Sequence, residues 1–154
     1  MKSDNKGSGA NQTVGHEATD VACESIVDFL SRPQSYPSSP GQVDVITTEE
    51  SWIARAGEYV YKVRRPVKFD ARDFTTPALR ERACLREVRL NRRLGGDIYL
   101  DVVPIHCHAG RYSFQRTGDV ADYAIRMRRL PDDRMMDRVL EAGGLSDAEV
   151  EALV

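Results

Sequence analysis

The chain has 154 residues, of which 41% are hydrophobic and 30% are charged, and its formal net charge is −2. A chain of this length can bury one hydrophobic core, and the balanced charge excludes a polycation that binds nucleic acid through its overall charge. No apolar run approaches the length of a membrane span. Lys2 and Lys6 are not followed by an apolar segment, so no secretory signal is predicted. Three cysteines without a C-x-x-C pair indicate reduced thiols, so the protein is predicted to be cytoplasmic.

The composition divides the chain into four segments. Residues 1–19 are rich in Ser, Gly, Asn and Thr, which predicts a disordered tail. Residues 20–41 predict a helix followed by a linker with three prolines. Residues 42–131 have the alternating patterns of a folded domain. Residues 132–154 predict two more helices, and we expect their apolar face to be poorly covered unless another part of the protein packs on it.

Five runs of alternating β-forming residues predict five strands in the folded segment. Gly57 supplies the positive φ that a tight turn between the second and third strands requires. The predicted fold is an α+β domain in which a five-stranded antiparallel sheet packs on one main helix. The predicted strands are Val43–Ile46, Ser51–Ala56, Tyr59–Arg64, Leu100–Ile105 and Asp122–Arg129.

The main helix is predicted between the third and fourth strands. Thr76 is a suitable N-cap, Pro77 suits the first helical position, and Gly95-Gly96 is expected to end the helix. Helical spacing places one carboxylate, that of Glu87, at the edge of the face expected to meet the sheet. The apolar residues predicted for that face are Leu79, Ala83, Leu90 and Leu94.

A carboxylate at the edge of a buried face is costly unless a cation meets it. Lys62 lies on the third strand and is one candidate partner of Glu87. Glu87 could instead turn to solvent and pair with Arg80 or Arg86. The sequence pattern leaves both arrangements open.

A strand lysine followed by a helix glutamate is the order found where kinase-like folds hold nucleotide phosphates. With this pair in view, the chain resembles the amino-terminal part of aminoglycoside-phosphotransferase-like proteins, in the subgroup that is often followed by a P-loop ATPase domain. The resemblance extends from about Ile26 to Val154. The blocks that carry it are Tyr59–Pro66 (YVYKVRRP), Asp73–Thr75 (DFT), Glu87–Leu94 (EVRLNRRL), Tyr99–Ile105 (YLDVVPI) and Tyr123–Pro131 (YAIRMRRLP).

The resemblance implies a site for ATP and Mg²⁺ in the nucleotide-binding small lobe of a protein-kinase-like phosphotransferase. The strand lysine and helix glutamate would face the phosphates, and apolar side chains and the backbone after the fifth strand would hold the adenine. The residues implied to bind the nucleotide are Lys62, Glu87, Val60, Met127, Arg128 and Leu130.

Two departures from that family bear on function. The turn at residues 47–51 has no G-x-G-x-x-G, so its backbone N–H groups and hydroxyls would have to cover the phosphates, and an ordinary polar turn is the alternative. The chain also has no H-G-D-x-x-x-x-N block, and no catalytic residue is predicted. We expect a fragment or a degenerate remnant, whose partner would be a missing carboxyl-terminal lobe and whose whole protein would act on a small-molecule hydroxyl. The competing function is a non-catalytic binding or regulatory module.

Two further patterns are weaker. His106 and His108 would share a face of a strand and could bind a metal, but no second Cys/His cluster exists, so a hairpin lead-in is favoured and no metal site is predicted. The main helix carries six arginines without interleaved aromatic residues, which favours a solvated surface over nucleic-acid binding. Neither nucleic acid nor a membrane is therefore expected as a partner.

Overall fold

The structure is a computed structural model that describes residues 23–131, apart from the side chain of Leu94. The predicted disordered tail and the two helices predicted after residue 131 lie outside the described residues. The helices are α1 (Ile26–Ser31) and α2 (Pro77–Gly95), and the strands are β1 (Val43–Thr47), β2 (Ser51–Ala56), β3 (Tyr59–Arg64), β4 (Lys68–Phe69), β5 (Arg72–Asp73), β6 (Tyr99–His108), β7 (Arg111–Ser113) and β8 (Asp119–Arg128).

Six of these strands form one antiparallel sheet in the order β1-β2-β3-β8-β6-β7, while β4 and β5 pair separately with each other. The α+β class and the single main helix are confirmed. The prediction of a five-stranded sheet is wrong, because β7 adds a sixth strand beside β6. The predicted second and third strands have the observed bounds, and the predicted first and fourth strands extend beyond theirs. The predicted fifth strand, β8, begins three residues earlier and ends one residue earlier.

The additional strand results from a tight turn that the sequence pattern did not separate from a longer loop. Ala109 and Gly110 both have positive φ values, 48° and 76°, and they connect His108 to Arg111 directly across the hairpin. Two consecutive positive φ values are typical of the turns that match strand twist. The interpretation of Gly110–Gly118 as a turn was wrong for Arg111–Ser113, which form β7. A strand of three residues is too short to show an alternating pattern. His106 and His108 lie at the end of β6 and lead into this hairpin, as the favoured interpretation of the histidine pattern expected.

One face of the sheet is covered by α1 and the proline-rich segment that follows it. Phe29 of α1 is fully buried, and Tyr36 is 2% exposed with its ring centroid 4.9 Å from that of Tyr61 on β3. The proline-rich segment therefore contributes to the core, which its composition does not predict. Helix α1 begins at Ile26, with Ser25 in the N-cap position, and is shorter than the predicted helix.

Helix α2 covers the opposite face of the sheet. The predicted N-cap is confirmed, since Thr76 Oγ1 accepts a hydrogen bond from the backbone N–H of Leu79 at 3.3 Å. Cys84 and Val88 are buried against Ile125 of β8 and form the contact between the helix and the sheet. This packing places the middle of α2 over β6 and β8, with β3 beside it.

The buried face of α2 is rotated relative to the predicted apolar stripe. Leu90 was expected in the core but is 46% exposed, and Cys84 and Val88 lie there instead. The reason is a buried ion pair at the start of the helix, where Arg80 Nε lies 2.8 Å from Asp122 Oδ1 of β8. An arginine that turns inward to meet a carboxylate shifts the helix surface that packs on the sheet.

The expectation of three reduced cysteines is also wrong. Cys23 and Cys107 form a disulfide with a Cα–Cα distance of 6.4 Å, which joins the segment before α1 to β6. Cys84 is the free and buried thiol of the described residues. The two paired cysteines are 84 residues apart in the sequence, so spacing alone did not indicate that they meet.

Candidate functional site

The predicted ion pair between Lys62 and Glu87 is present. Lys62 Nζ lies 2.9 Å from Glu87 Oε1, and both side chains are largely buried. Lys62 stands opposite Ile125 of β8 in the strand register, so it points to the face that α2 covers. The pair therefore links the middle of β3 to the middle of α2, as the sequence order predicted.

Glu87 has a second partner that the sequence analysis did not predict. Arg64, two residues beyond Lys62 on the same face of β3, places Nη2 2.5 Å from Glu87 Oε2. Each carboxylate oxygen thus accepts from a different cation on one strand. Neither Arg80 nor Arg86 is this partner, and Arg80 is bound to Asp122 instead. The sequence signal for this second partner was the K-x-R spacing of Lys62 and Arg64, which places two cations on one face of a strand.

The ion pairs continue from Glu87 to the turn between β1 and β2. Arg64 Nη1 lies 3.4 Å from Glu50 Oε2, and Glu50 also forms an ion pair with Arg72 of β5. Cations and carboxylates therefore alternate along a chain that connects α2, β3, the turn and β5. We call this set the charge chain, and its members are Lys62, Glu87, Arg64, Glu50 and Arg72.

The turn that joins β1 to β2 is closed by its own hydrogen bonds. The backbone N–H of Thr48 donates to the carbonyl of Ser51 at 2.8 Å, and the N–H of Ser51 donates to Thr48 Oγ1 at 3.0 Å. Arg65 donates from its side chain to the carbonyls of Thr48 and Glu49. Because two N–H groups are already used, this turn has fewer backbone donors to offer phosphates than an open glycine-rich loop.

Two unpaired buried donors lie where the turn meets β3. Ser51 Oγ and Arg64 Nε are buried without a hydrogen-bond partner, and the two residues stand opposite each other in the β2–β3 register. A buried polar atom without a partner is costly and points to a water or ligand oxygen that completes the site. The end of β3 beside the turn is thus the part of the site with unused donor capacity.

The residues implied to hold the adenine lie at the other end of β3. Val60 is opposite Met127 in the β3–β8 register, and both are half-buried on the face that α2 covers. Arg128 and Leu130 are exposed and line a cavity of about 450 Å³ beside the β2–β3 turn. The backbone N–H of Arg129 already donates to the carbonyl of Glu58 at 2.8 Å. Val60, Met127 and Lys62 do not line this cavity, so the structure places the candidate residues along an open face and not in one pocket.

The surface between the two ends is apolar. Cys84, Val88 and Ile125 form its buried part, with Tyr99 and Met127 packed at the edge. Burial raises the pKa of the Cys84 thiol to about 11, so the thiol is neutral at ordinary pH. Burial also raises the pKa of Tyr99. The charge chain therefore borders an apolar patch, where electrostatic interactions are less screened than in water.

The histidines and helix arginines of the weaker sequence patterns differ in burial and in their partners. His106 is buried, with Nδ1 3.3 Å from the carbonyl oxygen of Gly118, whereas His108 is exposed. Within residues 23–131 no three His, Cys, Asp or Glu side chains are grouped to hold a metal ion. Of the six arginines on α2, Arg80 is buried, and Arg92 donates to backbone carbonyls at the start of β6. No helix in the same range is long and apolar enough to cross a membrane.

Comparisons with known proteins give relatives but no function. One uncharacterized protein of Mycobacterium bovis (strain ATCC BAA-935 / AF2122/97) and two of Mycobacterium tuberculosis (strains CDC 1551 / Oshkosh and ATCC 25618 / H37Rv) are each 33% identical to this chain over 115 residues. The matched region covers 72% of this chain and 22% of each relative, so the chain spans about a fifth of their length. No protein-family model matches the chain, and no solved structure matches it either.

Among the described residues, the site offers a ligand cations and unpaired donors, while its two carboxylates are engaged. Lys62 is a cation with 24% of its side chain exposed, and unpaired donors lie nearby on Ser51 and Arg64. The two carboxylates of the site, Glu50 and Glu87, are both already engaged by cations. A divalent metal prefers carboxylate oxygens that are not held by arginine or lysine, so we derive no step through Mg²⁺.

Proposed function

We propose that this chain is the nucleotide-binding part of an aminoglycoside-phosphotransferase-like small-molecule kinase. The observation that carries the proposal is the ion pair between Lys62 of β3 and Glu87 of α2. In protein kinases a pair of this kind has to be in place before phosphoryl transfer proceeds. The order of the sequence blocks around the pair supports the same family.

Each candidate residue has a physical role in this proposal. Lys62 neutralises phosphate oxygens, and Glu87 holds the lysine in position. Val60 and Met127 offer the adenine ring an apolar surface, while the backbone from Arg128 to Leu130 offers it hydrogen-bonding groups. The nucleotide would lie along the open face between the β2–β3 turn and the charge chain.

Phosphoryl transfer itself is assigned to another part of a longer protein. It requires a side chain that orients the attacking hydroxyl and further oxygen ligands for the metal ions, and no residue of the described site is free for either role. The greater length of the mycobacterial relatives leaves room for such a lobe. A small molecule with a hydroxyl group would then be the substrate of the whole protein.

A nucleotide titration of the 154-residue chain tests this proposal. We expect Mg²⁺–ATP to shift the amide NMR signals of Val60, Lys62 and Met127 with a dissociation constant of about 1 mM or weaker, because one side of the nucleotide remains in solvent. Lys62→Ala should abolish these shifts. Lys68→Ala is the matched control, since this lysine is 65% exposed and lies on the separate β4–β5 hairpin.

Two results would contradict the proposal. One is tight binding that Lys62→Ala leaves unchanged, which would place the nucleotide elsewhere. The other is an absence of any shift up to about 20 mM nucleotide, well above the expected dissociation constant. The second result would favour a non-catalytic binding or regulatory module. That alternative has one observation in its support, the β1–β2 turn, whose backbone donors are used internally and which carries Glu49 and Glu50 where phosphates would lie.

A further inference from the structure

The charge chain connects two elements that a nucleotide would touch. At one end Lys62 and Glu87 join β3 to α2, and at the other Glu50 belongs to the β1–β2 turn. Arg64 is the member that contacts both carboxylates. We propose that Arg64 and Glu50 are positioning residues that couple the β1–β2 turn to helix α2. The link to nucleotide binding rests on the proposed function, whereas the coupling itself does not.

The packing of Arg64 allows it to pass a displacement of one carboxylate partner to the other. Only 12% of its side chain is exposed, and its guanidinium carbon lies 4.5 Å from the centre of the Phe74 ring. The planar guanidinium offers donors in a fixed fork, so moving one carboxylate reorients the donors that face the other. A lysine at this position would be a single point charge and could not hold both carboxylates with the same geometry.

The turn is tied to the end of β3 by more than the ion pair. The backbone N–H of Arg65 donates to the carbonyl of Glu50 at 2.8 Å, and the side chain of Arg65 donates to Thr48 and Glu49. Glu50 is also paired with Arg72 of β5. The turn is therefore attached to the end of β3, and Glu50 connects it to Arg64 inside the site.

Sharing Glu87 between two cations has a consequence for nucleotide binding. While Glu87 holds Lys62 against phosphate, it also keeps its contact with Arg64, so the buried carboxylate does not depend on the lysine alone for a cationic partner. The position of α2 is thereby retained while the lysine is engaged. Phosphate oxygens that attract Arg64 would in turn weaken its longer contact with Glu50, at 3.4 Å, and so release the turn.

Hydrogen exchange tests the coupling without any ligand. Glu50→Gln changes a side chain of the turn that does not touch α2, and we expect it to accelerate amide exchange in the middle of α2, around Cys84–Leu90, by roughly fivefold. Glu49→Gln is the matched control, because it removes the same charge from an exposed neighbour in the same turn. The control should leave exchange in α2 unchanged, and neither variant should alter exchange in β6 and β8.

A second pair of variants tests Arg64 itself. Arg64→Gln should accelerate exchange in both the turn and α2, and Arg64→Lys should restore only part of the protection, since it keeps the charge but loses the fork. An increase confined to the turn in Glu50→Gln, or a uniform increase throughout the domain, would overturn the coupling. If the Arg64 variants do not fold, amide exchange of α2 in Glu50→Gln is sufficient to test the coupling.

Mg²⁺–ATP then serves as the ligand probe. We expect ATP to accelerate exchange in the turn while protecting α2 in the wild-type chain, and Arg64→Gln to abolish the change in the turn. If wild-type exchange does not respond to ATP but the effect of Glu50→Gln on α2 is present, the proposed nucleotide function is wrong and the coupling stands. If ATP binds through Lys62 but Glu50→Gln leaves α2 unchanged, the coupling is wrong and the proposed function stands.

Discussion

The position of single charges decides how this domain is held together. Glu87 is bound by Lys62 and Arg64, and removing the carboxylate would leave two largely buried cations facing each other. Unpaired buried charges cost more free energy than an intact pair contributes. Arg80 and Asp122 repeat the arrangement at the start of α2, so both halves of the helix contact the sheet through ions as well as apolar groups.

The pKa of a third carboxylate, that of Glu24, predicts how the stability of the fold depends on pH. Its two oxygens each lie 2.7 Å from an amino group of Arg32, and the hydrogen bonds from Arg32 lower the pKa of Glu24 from 4.5 to about 2. A lowered folded-state pKa gives stability that is fully present above pH about 4.5 and is lost as the pH falls toward about 2. Urea denaturation should show Glu24→Gln to be about 1 kcal/mol less stable than wild type at pH 7, and the difference should shrink below pH 4.5.

The partner residue provides the control for this measurement. Arg32→Gln removes the cause of the shift, so its stability should change less steeply with pH between about 2 and 4.5 than that of the wild type. A constant difference between Glu24→Gln and wild type over the whole pH range would show that Glu24 acts through its shape and not through its charge.

Among the elements, the β6–β7–β8 region contains a close backbone approach at Gly118. Gly118 has φ of 77°, and a Cβ atom placed there would lie 2.2 Å from the carbonyl oxygen of Cys107. We expect Gly118→Ala to lower the free energy of unfolding by about 3 kcal/mol in thermal or urea denaturation, because both the backbone conformation and the contact are unfavourable. Gly41→Ala is the control and should be nearly neutral, since no atom lies within 4 Å of a Cβ at that position.

The disulfide ties the amino-terminal segment to the sheet at the same region. Cys23 and Cys107 close a loop with a sequence separation of 84 residues, and a closed loop of this size limits the unfolded chain enough to stabilise the fold by about 4 kcal/mol. Cys107→Ser should therefore lower the urea midpoint under oxidising conditions. In excess dithiothreitol the variant and the wild type should have nearly equal midpoints, and an undiminished difference would mean that the serine itself disturbs the packing.

At the scale of the whole molecule, the two faces of the sheet have different roles. The face beneath α1 is aromatic, with the rings of Phe29, Tyr36, Tyr61 and Phe114 in contact at centroid distances of 4.9 to 5.6 Å. The face beneath α2 has a smaller cluster of buried residues and also carries the charge chain. A packed aromatic layer therefore lies on one side of the strands whose opposite side carries the candidate site.

The proposed division of roles between this domain and another part of a longer protein gives a prediction about activity. The purified 154-residue chain should not transfer phosphate from ATP to aminoglycosides or other small hydroxyl compounds, because Lys62 and Glu87 can only position and neutralise phosphate charge. A radiolabelled ATP assay would measure this, with an active aminoglycoside kinase as the positive control. Turnover that Lys62→Ala abolishes would show that a catalytic group exists in this chain after all.

The sequence by itself determined the local elements and one long-range contact. Alternation gave the bounds of β2 and β3, and the Thr76-Pro77 pair gave the start of α2, because these signals depend on a few neighbouring residues. Charge made Lys62 one candidate partner of Glu87 beside Arg80 and Arg86, and the lysine-then-glutamate order of kinase-like folds favoured Lys62.

Only the tertiary structure decided the sixth strand, the face of α2 that is buried, the second partner of Glu87 and the pairing of Cys23 with Cys107. Each of these depends on which distant segments meet. A three-residue strand gains its stability from the neighbour it pairs with, and a helix rotates to satisfy an inward-facing arginine. Such contacts arise from the free energy of the whole fold and leave no periodic signal in the segments that make them.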